Sequence, residues 1–254
     1  MSILKVEGLS KSFGGVHAVE GLSFEVQPGH IHSLIGPNGA GKTTAFNMIS
    51  GVYVPTAGHV VFDGQPIAGV KPSQLAERGM SRTFQNLQIF FNMKAVENVM
   101  VGAHLHLVRD FLSSFLRLPR LRRSERETHD RAVELMRFVG LDAYISSDAG
   151  SMPYGALKRL EIARALASRP KLLLLDEPAA GLNHSESAEI SEVIRKVVGM
   201  GITVILVEHD MKMVMGLSDH IVALDHGRKI AEGTPEQVRC NPDVIRAYLG
   251  GEAA

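Results

Sequence analysis

The sequence contains one cysteine, Cys240, in 254 residues. An intrachain disulfide and any metal site built from clustered thiolates are therefore excluded, and Cys240 reads as a small, half-buried filler. Neither charge is in surplus: 27 Lys and Arg stand against 27 Asp and Glu. The basic face that holds nucleic acid is not expected, so no nucleic-acid partner is assigned. Long apolar runs are also missing. LLLL at 172–175 and TVILV at 203–207 fall far below the roughly 18 to 20 residues that cross a bilayer. The start, MSILKVEGLSKSF, lacks the apolar core and cleavage site of a signal peptide, and the expectation is a protein that stays inside the cell. No internal repeat, sustained heptad or low-complexity segment is present.

What remains is a chain that is 45% hydrophobic, enough for one core or one core with a lobe. LKVEGL and LSFEV alternate and are punctuated by glycine and by PGH at 28–30, which predicts short antiparallel strands. HIHSLIG predicts a strand entering a glycine-rich loop, and KTTAFNMISG the helix after it. HVVFDGQPI predicts a hairpin turning at Asp-Gly. Further on, LLLLD, SESAEISEVIRKVVG, TVILV, MKMVMGL and IVALDHGRKIAEG alternate strand, helix, strand, helix and hairpin. The fold class is α/β: a mostly parallel, helix-covered sheet with an antiparallel β lobe at the front. From about Asn92 to Ser151 the pattern becomes helical, as an inserted lobe. Its basic run, Arg117 to Arg126, is a headgroup or partner patch or, more simply, a solvated face. The methionines of MKMVMGL are helix packing or an adaptable contact surface.

GPNGAGKTT, residues 36–44, follows a predicted strand and opens a predicted helix, the context that the phosphate-loop pattern requires. Gly36, Gly39 and Gly41 permit a tight turn in which the backbone of Gly36, Pro37, Asn38, Gly39, Ala40 and Gly41 faces phosphate oxygens. Lys42 supplies positive charge to the β and γ phosphates, Thr43 a hydroxyl for Mg²⁺, and Thr44 completes the motif. The cofactors implied are ATP and Mg²⁺. In LLLLDEP, four leucines make a strand buried on both faces, and Asp176 emerges at its carboxyl end as a magnesium-side carboxylate. Glu177 then polarises the attacking water, and His209, ending TVILVEHD, reaches the γ-phosphate from another edge.

The order of phosphate loop, RTFQ, SMPYGALKRLEIARAL, LLLLDEP and histidine resembles the nucleotide-binding subunit of an ATP-binding cassette (ABC) transporter across essentially the whole chain. The resemblance implies a single cassette over 1–254, with residues 1–91 and 160–254 forming the core and β lobe and 92–159 the helical lobe. It implies that Phe13 stacks on adenine with Val19 beside it. Gln85 would touch Mg²⁺ or the attacking water and sense the membrane subunit. Asn183 stands where many relatives carry aspartate, so the charge of that cross-dimer loop is lost.

The family's LSGGQ signature, which covers the nucleotide of a second protomer, here reads Pro153, Tyr154, Gly155, Ala156 after Met152. Proline is welcome in a first helical turn but brings neither hydroxyl nor N–H, and Ala156 lacks the amide of the expected glutamine. Losing one hydrogen bond to a charged group costs roughly 1.5 to 3 kcal/mol. This asymmetry implies a heterodimer with a related ATPase subunit, with a homodimer as the competing arrangement. AGLNHSE, VEHDMKMVMGLSDHIVAL and EGTPEQVRCNPDVIRAYLG are similar to the ATP-binding subunit of high-affinity branched-chain amino acid importers. Related subunits serve urea or amide uptake, or lipopolysaccharide export. The implied partners are membrane permease subunits and, through them, a periplasmic or extracellular substrate-binding protein. The implied location is the cytoplasmic face of the membrane. A DNA-repair or translation ATPase would need a coiled-coil insertion, a second cassette or a basic groove; a silent binding module would not need Glu177 and His209.

Overall fold

The computed structural model describes residues 2–106 and 119–249. Two compact units divide the chain: a core unit of Met1–Arg82, Lys171–Ala180 and Ile194–Ala254, and a helical unit of Thr83–Pro170 and Gly181–Val193. The expected helical limits, 92–159, lie inside the first stretch of the helical unit.

In the core unit, β1 (Leu4–Phe13) pairs antiparallel with β2 (Val16–Val26) and with β4 (Ala57–Phe62), and β5 (Gln65–Pro66) closes a four-stranded sheet. The first two strands are long where the glycines suggested short pieces. Register shifts along β1 and left-handed backbone at Gly8 and Gly21 (φ 57° and 65°) bulge the strands without ending them. The β4–β5 hairpin turns at Asp63 and Gly64, φ 48° and 74°, the conformation that Asp-Gly favours.

A second sheet has six strands in the order β10, β9, β3, β8, β7, β6. These are β3 (Ile31–Ile35), β6 (Met80–Arg82), β7 (Leu172–Asp176), β8 (Thr203–Val207), β9 (His220–Asp225) and β10 (Arg228–Gly233). All inner pairings are parallel and only β9–β10 is antiparallel. Leu172 to Leu175 are all 0% exposed, each contributing about 1.5 to 3 kcal/mol on burial. Because the inner strands run parallel, β3, β7 and β8 deliver their carboxyl ends to one edge of the sheet.

Helix α1 (Lys42–Ile49) follows β3, and α2 (Pro72–Glu77) precedes β6. Within the helical unit, α3 (Ala95–Gly102), α4 (Pro119–Phe138) and α5 (Tyr154–Leu166) pack on one another. Asn98, wholly buried, anchors the turn before α3 by accepting from the Phe90 amide and donating to the Phe90 and Lys94 carbonyls. Helix α6 (His184–Gly199) runs through both units, passing from one to the other after Val193. The core unit ends with α7 (Met211–Leu217), α8 (Pro235–Arg239) and α9 (Pro242–Leu249).

Met213 is buried, and Met211 and Met215 pack on the cluster of Ile35, Val214, Ile221, Val238 and Val244, so the methionine stripe is helix packing. Cys240 is exposed, correcting the half-buried reading. The Thr234–Gln237 capping box defines a helix of only five residues, and Cys240 caps its outer end. Part of the basic run lies outside the described residues. Arg123, which is described, has a side chain 83% exposed and pairs with Glu127 one turn on, as on a solvated face. Among the described residues, no helix is long and apolar enough to cross a membrane.

Candidate functional site

The glycine-rich loop is fixed by close approach. A Cβ on Gly36 (φ 153°) would lie 2.2 Å from the Leu224 carbonyl oxygen, and one on Gly41 (φ 96°) would lie 2.4 Å from that of Ala18. Gly39 also has a left-handed φ, 81°. The Ala40 carbonyl accepts from the Gly227 amide at 3.0 Å, tying the loop to the β9–β10 turn. Gly41 is the N-cap of α1 and brings no side-chain hydrogen bond, which leaves the first-turn N–H groups directed at the loop mouth. Asn38 and Gly39 are exposed, Pro37 is half-buried, and Thr43 presents its side chain at the surface with Thr44 half-buried behind it. Lys42 is 7% exposed. Its ammonium donates to the Gly36 carbonyl at 2.7 Å and the Pro37 carbonyl at 2.9 Å. Burial lowers its pKa, and the nearby Glu177 carboxylate opposes that shift.

At the end of β7, Asp176 is 5% exposed and pairs with Arg82 at 3.3 Å. Glu177 follows with φ 47°, a left-handed conformation that strains a glutamate. A hydrogen bond from its amide to the Val207 carbonyl, 2.9 Å, holds it there. His209 Nδ1 is 3.9 Å from Glu177 Oε2, too long for a hydrogen bond, and its side chain is 60% exposed. Lys42, Thr43, Asp176, Glu177 and His209 thus all belong to the core unit, and Glu177 neighbours both Lys42 and His209.

Sequence reasoning missed two residues here. Glu208 is 1% exposed. One of its carboxylate oxygens accepts from the Ala179 amide at 2.9 Å, the other from His209 at 3.0 Å and Asp210 at 3.4 Å. It fastens the turn after Glu177 to the turn bearing His209. Arg82 is the other: besides Asp176 it donates to Asn47 and Ser50 on α1. An acidic residue directly after the apolar run TVILV was the available signal for Glu208. RTFQ gave none for Arg82.

Phe13, at the end of β1, is 44% exposed and meets Tyr53 edge-on, ring centroids 5.5 Å apart. An exposed aromatic pair suits a flat heterocycle. Val19, expected beside it, is 0% exposed; its methyl group would lie 3.3 Å from a Cβ on Gly41. That placement corrects the expectation: Val19 supports the glycine-rich loop from the core and has no open face for a ring.

The remaining candidates lie in the helical unit. Gln85 is exposed, and its segment is held from α5 on both sides. The buried Glu161 carboxylate accepts from the Phe84 amide at 3.3 Å, and Arg164 donates to the Gln88 carbonyl. Burial raises the Glu161 pKa, with the Phe84 amide acting against it. Pro153 is the N-cap of α5 with extended ψ, 153°, and no side-chain cap bond. It therefore stands one residue ahead of the first helical turn, and not within that turn as the sequence suggests. Tyr154 is 44% exposed and lies against Gly181, whose Cβ would come 3.3 Å from its ring. Gly155 is buried, and a Cβ there would come 2.6 Å from a Glu186 carboxylate oxygen. Ala156 is 3% exposed. The other Glu186 oxygen accepts from the Asn183 amide at 3.0 Å, and Asn183 Oδ1 in turn accepts from Ser185 and Glu186. The 153–156 and 181–186 segments interlock within one unit.

Comparison with known proteins agrees with this arrangement. A family profile described as ABC transporter matches residues 19–180. The chain belongs to the ABC transporter family. A second profile of that family, Branched-chain amino acid ATP-binding cassette transporter, matches residues 228–254. The high-affinity branched-chain amino acid transport ATP-binding protein BraF of Pseudomonas aeruginosa is 48% identical over 98% of both chains. Its counterpart LivG of Escherichia coli is 45% identical over 98% of both. Among solved structures, the ADP conformation of an ATP-binding cassette of an ABC transporter superposes with a TM-score of 0.86. It is 31% identical and covers 98% of this chain and 99% of that one. The fold is that of an ABC cassette, and the chain is an ATPase that binds nucleotide through it.

Proposed function

We propose that this chain is the ATP-hydrolysing subunit of a branched-chain amino acid importer, acting on the cytoplasmic side of the membrane through its permease subunits. The cargo is supported by what the two bacterial relatives transport and by the profile matched at 228–254. The site reading rests on one observation: Lys42, opening the helix that follows β3, and Asp176 and Glu177, at the carboxyl end of β7, belong to the same edge of one parallel sheet, with β8 between the two strands.

In that reading the glycine-rich loop backbone cradles the phosphates and Lys42 turns its ammonium from the Gly36 and Pro37 carbonyls to phosphate oxygens. Phe13 takes the adenine. The donor chemistry fits Mg²⁺: a hydroxyl at Thr43 and a carboxylate at Asp176 are hard oxygen ligands. Thr43 and Asp176 would hold the cation, which would keep water and phosphate oxygens as its further ligands. Bound, it would neutralise charge between the β and γ phosphates. Glu177 orients the attacking water and accepts its proton, His209 contacts the γ-phosphate, and Gln85 reports on the site.

The interlocked 153–156 and 181–186 segments would face the nucleotide of a second ATPase protomer. Pro153 and Ala156 weaken that contribution, which favours a related subunit with a complete signature over a second copy. Exposed Phe84, Phe90 and Phe91 (42%, 46% and 53%) suit a helix of the permease. A substrate-binding protein would act only indirectly.

The test is Glu177→Gln in the assembled complex. Nucleotide binding should stay within about threefold while ATPase falls by about 10²- to 10⁴-fold, the usual contribution of a positioned base. Undiminished turnover would sink the assignment.

A further inference from the structure

The two oxygen donors assigned to magnesium sit on different elements, Thr43 at the start of α1 and Asp176 at the end of β7. One guanidinium joins these elements. Arg82 Nη2 lies 3.3 Å from Asp176 Oδ2, while Nη1 donates to Asn47 Oδ1 at 2.8 Å and Ser50 Oγ at 2.6 Å. Asn47 is one turn beyond Thr43 on α1 and Ser50 is its C-cap. The plane of the guanidinium is backed by the Phe46 ring, 4.9 Å from its carbon, so the side chain is held on three sides. Its side chain is only 13% exposed, and all these groups belong to the core unit.

We propose that Arg82 is a positioning residue for the magnesium side of the site: it fixes the spacing between the α1 hydroxyl and the β7 carboxylate. The planar fork is what the task requires, since one nitrogen faces the carboxylate while another faces the helix. A lysine, whose three donors share one nitrogen, cannot span two groups that the guanidinium meets through two separate nitrogens. Arg82 touches neither phosphate nor attacking water in this assignment, so its effect should appear in the metal dependence of nucleotide binding and not in nucleotide binding itself. The inference rests on the magnesium assignment made above.

The test is binding of a fluorescent, non-hydrolysable ATP analogue to the purified chain, titrated with Mg²⁺ and repeated in excess chelator. For Arg82→Gln and Arg82→Lys, the half-saturating Mg²⁺ concentration should rise about tenfold, while affinity in chelator stays within twofold of the parent. Asn47→Ala, which removes one of the two helix-side contacts of the bridge without touching the ion pair, should raise it about threefold and covers the case in which an Arg82 variant folds poorly. In an Asp176→Asn background, Arg82→Gln should add nothing. Equal weakening with and without Mg²⁺, or a full Arg82→Gln effect in the Asp176→Asn background, overturns the proposal. A parent chain whose nucleotide binding ignores Mg²⁺ overturns the magnesium assignment and this inference with it. A magnesium-dependent parent with unchanged variants overturns the inference alone.

Discussion

Pro153 stands where a helix is usually capped by a hydroxyl or carboxamide, and it offers α5 only its carbonyl, which accepts from the Leu157 amide at 3.0 Å. The amides of the first turn receive nothing from its side chain. A serine at an N-cap satisfies one of them and typically contributes about 0.5 to 2 kcal/mol over a residue that cannot. Pro153→Ser should therefore raise the melting temperature, by about 2–4 °C for each kcal/mol gained in a chain of this size. If α5 also points its amides at a partner's nucleotide, the same variant should raise the ATPase rate of the assembled complex. A higher melting point with unchanged turnover would mean that the proline matters only to the fold. The glycine beneath it explains what the motif still keeps. Gly155 leaves the space that the Glu186 carboxylate fills, so the degenerate motif retains the one position where backbone must come close to its neighbour.

The elements that the sequence made legible are those whose pattern is local. Four consecutive leucines required a strand buried on both sides, and β7 has every residue buried. Asp-Gly marked its hairpin, and the glycines of 36–41 announced a loop that only glycine can follow. Elements too short to complete two periods of their own pattern were not read: α2 has six residues, α8 five and β6 three. Buried charges were missed for a different reason, because their partners are distant in sequence: Glu208 serves an amide 29 positions away and Arg82 a carboxylate 94 away. The consequence for Glu208 is measurable. Its two oxygens accept from three backbone amides on the β7–α6 and β8–α7 turns, and Glu208→Gln puts an NH₂ against at least one of them. Leaving a buried donor unpaired costs about 1 to 3 kcal/mol, which chemical denaturation should register. Nucleotide affinity should hold while turnover drops, since Glu177 and His209 sit on the two turns that Glu208 joins.

Across the molecule the charges cancel, yet stability should still depend on pH, through a histidine group far in sequence from Asp176 and Glu177. His32, in β3, is 4% exposed. Its Nε2 accepts from the Gln27 amide at 3.1 Å, which assigns the proton to Nδ1, and Nδ1 has no hydrogen-bond partner. A second proton would have to enter Nε2 against the Gln27 N–H. Burial first, then the neighbouring His220 and His30, hold its pKa down at about 4, while Asp219 and Glu232 pull weakly the other way. Unfolded, the same imidazole titrates near its ordinary value of 6.5. Between these values the unfolded chain holds more protons, so stability rises with pH across the window. The contribution is complete above pH 6.5 and is lost as pH falls toward 4. At pH 5 the loss from this one group is roughly 2 kcal/mol, taking about 1.4 kcal/mol per pH unit below the unfolded value. Urea unfolding of the core unit's sheet at pH 5 and pH 7.5 should show that drop in the parent chain. In His32→Gln, whose amide still offers an acceptor to Gln27, the drop should shrink by about that amount. An equal loss in both chains would place the acid sensitivity in the carboxylates and remove His32 from the account.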